Sequence, residues 1–192
     1  MQQRKEALKK YENAKKEGKV DKDIINLLDL INSFSHFYTT SSCSGRIVVI
    51  SIPEIGDKKN AVFLGKWHSM VDVEDVRNAI EKYENGYLFL LMQSPIIHVV
   101  CEDLNHAKSL MQIALECGFK YTSIKKIDKR GVLIEILSTE NLHIPLGIDG
   151  RIIVDGKDIE FFVEMANKML LRSKRKLNCL ERKISYLLLS SS

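Results

Sequence analysis

Apolar residues recur along this chain in two rhythms. At Ile24, Leu27, Leu28, Ile31, Phe34 and Tyr38 they keep the spacing of one helical face, with Asp21 standing where an N-cap would. This predicts a helix packed firmly on a core. Ahead of it, residues 3–17 predict a short charged helix with Leu8, Tyr11 and Ala14 on one side, stopped by Gly18. Two apolar runs follow, Arg46–Ile52 and Ala61–Trp67, separated by the polar turn Glu54–Asn60, and they predict an antiparallel strand pair. Asp72, with Glu74 and Asp75, opens a helix through Glu84, and Gly86 closes it. The pattern then repeats. Strands Tyr87–Gln93 and Ile96–Cys101 flank Ser94-Pro95, and Asp103 caps a helix over Leu104–Cys117 that ends at Gly118. Two strand-strand-helix units in succession point to an internal duplication.

Further strands are expected at Phe119–Ile127, Val132–Ser138, Leu142–Ile148 and Arg151–Val154, before a long helix from about Ile159 to Leu188. Phe162, Ala166, Met169, Leu177, Leu180, Ile184 and Leu187 run down one face of that helix. At roughly 30 residues it would span about 45 Å, so part of it is expected to project beyond the core towards a partner. Ser190–Ser192 read as a frayed tail. The fold class is α+β, a mixed or antiparallel sheet built from strand-strand-helix units with a long C-terminal helix. No G-x-G-x-x-G follows a strand, which argues against a Rossmann fold. The expected organisation is one domain over 1–192, with an N-terminal helix (1–20), an α+β core (21–158) and a basic C-terminal helix (159–192).

Charge changes this picture at the ends. The net charge of +4 is mild, but residues 1–22 hold eight Lys or Arg against four acids, and Lys168–Lys183 hold seven against Glu181 alone. Such clusters suit phosphate backbones, and equally the solvated faces of helices. The four cysteines, at 43, 101, 117 and 179, lie far apart with no Cys-x-x-Cys and no metal-ligand spacing, so no metal is expected. No apolar run is long enough to cross a bilayer, and the N-terminus is charged. A cytoplasmic chain with reduced thiols follows, with Cys101, Cys117 and Cys179 as small apolar fillers.

The candidate chemistry centres on Thr40-Ser41-Ser42-Cys43-Ser44-Gly45-Arg46, a run of hydroxyls, a thiol and backbone N–H groups closed by a guanidinium. Read as a loop, it offers an anion-binding concavity; it would serve equally as a Ser-rich helix-to-strand connection. It matches neither a Cys-x5-Arg phosphatase loop nor a phosphate-binding loop of the G-x-x-x-x-G-K-[ST] type. Lys66-Trp67-His68 closes the second strand with a cation, a stacking surface and an imidazole, a set that suits a nucleobase, although Trp67 would also serve as a core residue. His98 alternates within an apolar strand, where a hydrogen-bonded histidine is the commoner role. Lys129-Arg130 marks a hairpin tip that could touch phosphate.

Together these residues resemble the tRNA wybutosine-synthesizing protein 3 family. The resemblance runs from about Asp21 to Leu177 and rests on Thr39–Ile47, Trp67, Pro95 with Ile97-His98-Val99 and Cys101, Gly118-Phe119, Lys129-Arg130-Gly131, Pro145-Leu146, Ala166-Asn167 and Lys174-Arg175. It implies a non-Rossmann methyltransferase that uses S-adenosylmethionine to methylate N4 of the tricyclic wyosine-type base 3′ to the anticodon of phenylalanine tRNA. The length resembles the stand-alone archaeal form. Five residues past Trp67, where the family carries a His, this chain has Asp72. On this reading the donor is held by Ser41, Ser42, Cys43, Ser44, Gly45 and Arg46. His68 or Asp72 would take the proton, with Arg46 assisting, and Lys66, Trp67, His98, Lys129, Arg130, Lys174 and Arg175 would face the tRNA. The chain would act as a monomer or homodimer away from membranes. A non-catalytic RNA-binding module is the competing expectation, and a thiol enzyme working through Cys43 a third.

Overall fold

The computed structural model describes residues 2–190, with side chains as far as Tyr186. The expected place of Leu187 on the helix face and the end of the serine tail lie outside the described residues. The chain gathers into two compact units, one from residues 1–44, 95–139 and 173–192, the other from 45–94 and 140–172.

The first unit is built on the sheet β1 (Phe37–Cys43), β5 (Ile96–Cys101), β7 (Gly131–Leu137), β6 (Ser123–Asp128), all antiparallel in that order. Its helices are α1 (Gln2–Lys16), α2 (Ile25–Ser33), α4 (Leu104–Glu116) and the second half of α5 (Gly156–Ser190). Ile97, Val99, Cys101, Ile134 and Ile136 from the sheet pack with Leu27, Leu28 and Ile31 of α2, Ala107 and Leu110 of α4, and Leu177, Leu180 and Ile184 of α5. The second unit carries β3 (Val62–Trp67), β2 (Arg46–Ile52), β4 (Tyr87–Gln93), β8 (Leu142–Ile148) and β9 (Arg151–Ile152) in spatial order. Its core joins Ile47, Val49, Leu88, Leu90 and Met92 to Val76 and Ala79 of α3 (Val73–Ile80) and to Ile159, Val163, Ala166 and Leu170 of α5.

Five expectations are corrected. The helix read through Tyr38 ends at Ser33, because Phe34 turns extended (φ −76°, ψ 136°) and Tyr38 to Cys43 pair with β5. The serine run is therefore mostly strand, and its Thr residues fit a pleated ladder. The helix opened by Asp72 ends at Ile80, not Glu84. β4 and β5 stand in different sheets, so the strand-strand-helix units are not a repeated pairing unit. The long helix buries apolar residues from Ile159 to Ile184 in the two cores in turn, so over that span it does not project. Finally, Cys117 and Cys179 are not reduced fillers but a disulfide with Cα atoms 5.6 Å apart, within the usual range. Their 62-residue separation hid the pair from sequence spacing.

Gly131 shows how tightly one turn is set. Its φ is +120°, and a Cβ there would lie 2.2 Å from the Cys101 carbonyl oxygen. Gly131→Ala is expected to cost ~1–3 kcal/mol, read as a lowered denaturation midpoint; an unchanged midpoint would mean the turn relaxes freely.

Candidate active site

The register of the first sheet lays polar groups in a row across it. Ser41 is paired with His98, His98 with Glu135, and Glu135 with Ser123. Strict alternation from Thr39 would turn Ser41 towards the core. A bulge between Thr39 and Ser41 shifts the register by one residue, which sets Ser41 beside His98 instead; re-aiming a side chain in this way is a recurrent use of bulges. Asn32 anchors the strand just before the bulge: its amide accepts from Thr39 N–H at 2.8 Å and donates to Thr39 Oγ1 at 2.9 Å.

Ser41 Oγ lies 2.6 Å from His98 Nδ1, His98 Nε2 lies 2.9 Å from Glu135 Oε2, and Lys125 Nζ reaches Glu135 Oε1 at 2.6 Å. Burial acts to raise the Glu135 carboxyl, but the hydrogen bonds from Lys125 and His98 outweigh it and hold its pKa below the ordinary carboxylate value. An ionised carboxylate only accepts, so His98 carries its proton on Nε2 and its Nδ1 accepts from the Ser41 hydroxyl. The row is thus a directed hydrogen-bond chain from an exposed hydroxyl to a half-buried imidazole backed by a buried carboxylate.

Ser41 also lines a cavity of about 630 Å³. Its other walls come from α1 (Glu6, Lys10 and Tyr11), from Lys19, from Tyr38 to Ser42 of β1, and from Arg130. Burial raises the Tyr38 phenol, opposed by the nearby Arg130. The Tyr11 phenol is raised further, by burial and by its 2.7 Å hydrogen bond to Asp29. Arg130 is clamped at the β6–β7 turn by Asp128, whose carboxyl is driven far down by the Arg130 hydrogen bonds. Lys129 beside it is exposed.

The rest of the serine run is used differently. Ser44 is fully buried, its N–H donating to Asp21 Oδ2 at 2.7 Å and its Oγ accepting from Lys174 at 2.8 Å. Asp21, read as a helix cap, makes no side-chain cap bond. Lys174 pairs with Asp23 as well, so it braces the fold, while Arg175 is exposed. Much of the basic character of α5 is neutralised likewise, by Lys168–Glu164, Arg172–Glu140 and Lys183–Glu116 pairs. Cys43 is half-buried and paired with Ile96.

In the second unit, Arg46 Nε donates to Gln93 Oε1 at 2.6 Å. Its guanidinium and the Lys66 ammonium stand 5.6 and 5.9 Å from the ring of Phe63, which is half exposed. Trp67 packs on the second core and folds over Gly65, where a Cβ would meet its ring at 2.1 Å. The exposed aromatic among cations is therefore Phe63, which the sequence reading passed over. His68 is half-buried just past β3, and Asp72 is exposed at the start of α3 without a side-chain cap bond.

The family model described as Methyltransferase TYW3 matches residues 2–186. The chain belongs to that family. Among curated relatives, the tRNA(Phe) 7-((3-amino-3-carboxypropyl)-4-demethylwyosine(37)-N(4))-methyltransferase of Thermococcus sibiricus is 45% identical, covering 96% of this chain and 94% of the relative. The enzyme numbered 1 under the same name in Pyrococcus horikoshii is 47% identical, with the same coverage. Among solved structures, the PH1069 protein from Pyrococcus horikoshii superposes with a TM-score of 0.93 at 46% identity, over 95% of this chain and 94% of that one. A hypothetical protein from Aeropyrum pernix gives 0.76 at 28% identity, over 87% and 98%. The match reaches further than the resemblance legible in the sequence, taking in α1 and most of α5.

A TYW3 methyltransferase implies a methyl donor of the S-adenosylmethionine type. The cavity beside Ser41 fits such a molecule: its volume is in the range of small-molecule sites, Tyr11 and Tyr38 offer flat walls, and the hydroxyls of Thr40 to Ser42 suit a ribose. Glu6 with Lys10, Lys19 and Arg130 supplies both signs of charge for an amino-acid end.

Proposed function

We propose that this chain is the S-adenosylmethionine-dependent methyltransferase of N4 of 4-demethylwyosine-type bases at position 37 of tRNA(Phe), a step of wybutosine-type biosynthesis. The observation that carries the reading is the Ser41–His98–Glu135 row at the wall of a cavity sized for the donor, in a chain of the TYW3 family.

When bound, S-adenosylmethionine supplies a methyl group on a positively charged sulfur, ready for in-line displacement by nitrogen. The lining residues that would hold it are Tyr11 and Tyr38, the hydroxyls of Thr40 and Ser42, and the charged side chains of Glu6, Lys10, Lys19 and Arg130. The acceptor nitrogen loses its proton as its new bond to carbon forms. Ser41 Oγ receives that proton while passing its own to His98 Nδ1, and Glu135 stabilises the resulting imidazolium through Nε2–H. A positioned base of this kind contributes ~10²–10⁴-fold. Holding the two reactants in line and dry contributes the larger share, up to ~7–11 kcal/mol.

Phe63, flanked by Arg46 and Lys66, provides a stacking platform with phosphate-binding cations for the anticodon loop. Lys129 and Arg175, both exposed, add charge on the first unit. Phe63→Ala is expected to weaken tRNA binding by ~1–3 kcal/mol with little effect on donor binding, measured by filter binding and by calorimetry. Equal tRNA affinity in the variant would remove Phe63 from the interface. A tRNA substrate agrees with a cytoplasmic location, and among the described residues no helix is long and apolar enough to cross a membrane.

The direct test is transfer of labelled methyl from S-adenosylmethionine to tRNA(Phe) carrying the unmethylated tricycle. Label on the tricycle supports the reading. No transfer and no donor binding, with tRNA affinity retained, would leave a binding module.

A further inference from the structure

Away from the cavity and the relay, His36, Glu102 and His106 gather at one end of the first sheet. His36 is the last residue before β1 and Glu102 the first after β5, and the Glu102 N–H donates to the His36 carbonyl at 2.9 Å. Asp103 caps α4, accepting from the N–H groups of Asn105 and His106 at 2.8 and 2.9 Å, which sets His106 in the first turn. Backbone pairing and a helix cap therefore bring the three side chains together. The two imidazole rings lie 4.1 Å apart and 17° from parallel. His36 Nδ1 is hydrogen-bonded to the Glu102 carboxylate. One ring nitrogen from each histidine and one Glu102 oxygen all lie within 4.8 Å of one another. Asp103 Oδ2, 3.0 Å from His106 Nδ1, adds a second carboxylate at the edge of the cluster.

We propose that this cluster binds a divalent transition-metal ion of the zinc class through His36, His106 and Glu102. Imidazole nitrogen mixed with carboxylate oxygen selects such ions over magnesium and calcium, which take oxygen donors. Two histidines and a glutamate are a complete protein donor set for zinc, with a fourth position left to water. Ligands at ~2.0–2.2 Å from one ion must close in from the present spacing. The side chains of His36 and Glu102 are 47% and 63% exposed, so both can swing inward without repacking the core. The ion acts as a staple. It joins the entrance of β1 to the exit of β5 and the start of α4, and so fixes the far end of the two strands that carry Ser41 and His98. A ligand that binds the folded chain and not the unfolded one raises the unfolding midpoint.

The test uses the untagged full-length chain, stripped with a chelator and titrated with cobalt(II), whose visible spectrum reports coordination, and then with zinc sulfate in competition. Expected are one bound equivalent with a Kd on the order of micromolar or tighter, a rise in thermal midpoint with zinc, and binding weakened at least about tenfold in His36→Gln and in Glu102→Gln. Both substitutions fall on exposed side chains, and an unchanged midpoint in chelator checks that the fold survives. His98→Gln, a change in the relay instead, keeps wild-type metal binding. Absence of stoichiometric binding overturns the proposal. So does binding unaltered in both variants, or a loss that appears in His98→Gln.

Discussion

Ser41→Ala and His98→Ala each lower methyl transfer by ~10²–10⁴-fold and leave the chain folded. Ser41 is exposed and His98 half-buried, on the sheet face opposite the core residues Ile97 and Val99, so neither substitution opens a cavity in the packed interior. The loss falls on the maximal rate and not on the half-saturating tRNA concentration, because the proton moves only as the carbon–nitrogen bond forms. The double variant is barely slower than either single one, as expected of groups that act as a unit. Glu135→Gln is intermediate. It keeps a hydrogen-bond acceptor for His98 Nε2 but loses the charge that stabilises the imidazolium, and it leaves Lys125 without its ion pair. Single-turnover transfer, with donor and tRNA both saturating, is the measurement. Full rates in Ser41→Ala and His98→Ala would remove the row from the chemistry, and a loss confined to His68→Ala would return the base to the residue that sequence reading favours.

How much of this fold shows in the sequence depends on how far apart the interacting residues lie. Strands whose cores are continuous apolar runs were legible to the residue, as with Arg46–Ile52, Tyr87–Gln93 and Ile96–Cys101, which are β2, β4 and β5 as expected. The Asp103 cap was legible too, because its partners are two and three residues away. What failed was whatever depended on pairing between distant segments. Tyr38 keeps helical spacing from Ile31 and Phe34, yet β5 claims it for a strand, an override of local pattern by tertiary pairing. The bulge that aims Ser41 at His98 leaves no mark in Thr39-Thr40-Ser41, and Glu135 lies inside an apolar strand, 37 residues from the imidazole it supports. In the sequence Phe63 is one apolar strand residue among several; only the fold sets Arg46 and Lys66 beside its ring. The His36–Glu102–His106 cluster escaped for the same reason. Its members have metal-ligand proximity in space, while 66 residues separate His36 from Glu102.

Removing the disulfide has the largest expected effect on stability. Bridging Cys117 and Cys179 closes a loop of 62 residues, and the chain-entropy model assigns a loop of that length ~4 kcal/mol. The loop is also special in its content. It holds β6, β7, β8 and β9 and about the first two-thirds of α5, including residues 140–172, the whole second passage of the chain through the second unit. Without the bridge the unfolded chain is free to separate these segments widely; with it, Leu177, Leu180 and Ile184 of α5 start close to the α4 residues they must meet, Ala107, Leu110 and Ala114. The Cys117→Ser/Cys179→Ser variant should therefore unfold about 8–16 °C lower. Cys117 is almost fully buried, so part of that fall comes from burying a hydroxyl in its place. Reductant separates the two contributions. It should lower the wild-type midpoint towards that of the variant and leave the variant unmoved, with any remaining gap giving the cost of the serines. Cys101 does not confuse the comparison: burial pushes its thiol up to about 12, which keeps it protonated and slow to exchange. A wild-type midpoint that ignores reductant, with free-thiol titration showing the bond opened, would mean the cross-link adds nothing that packing of α4 on α5 does not already supply.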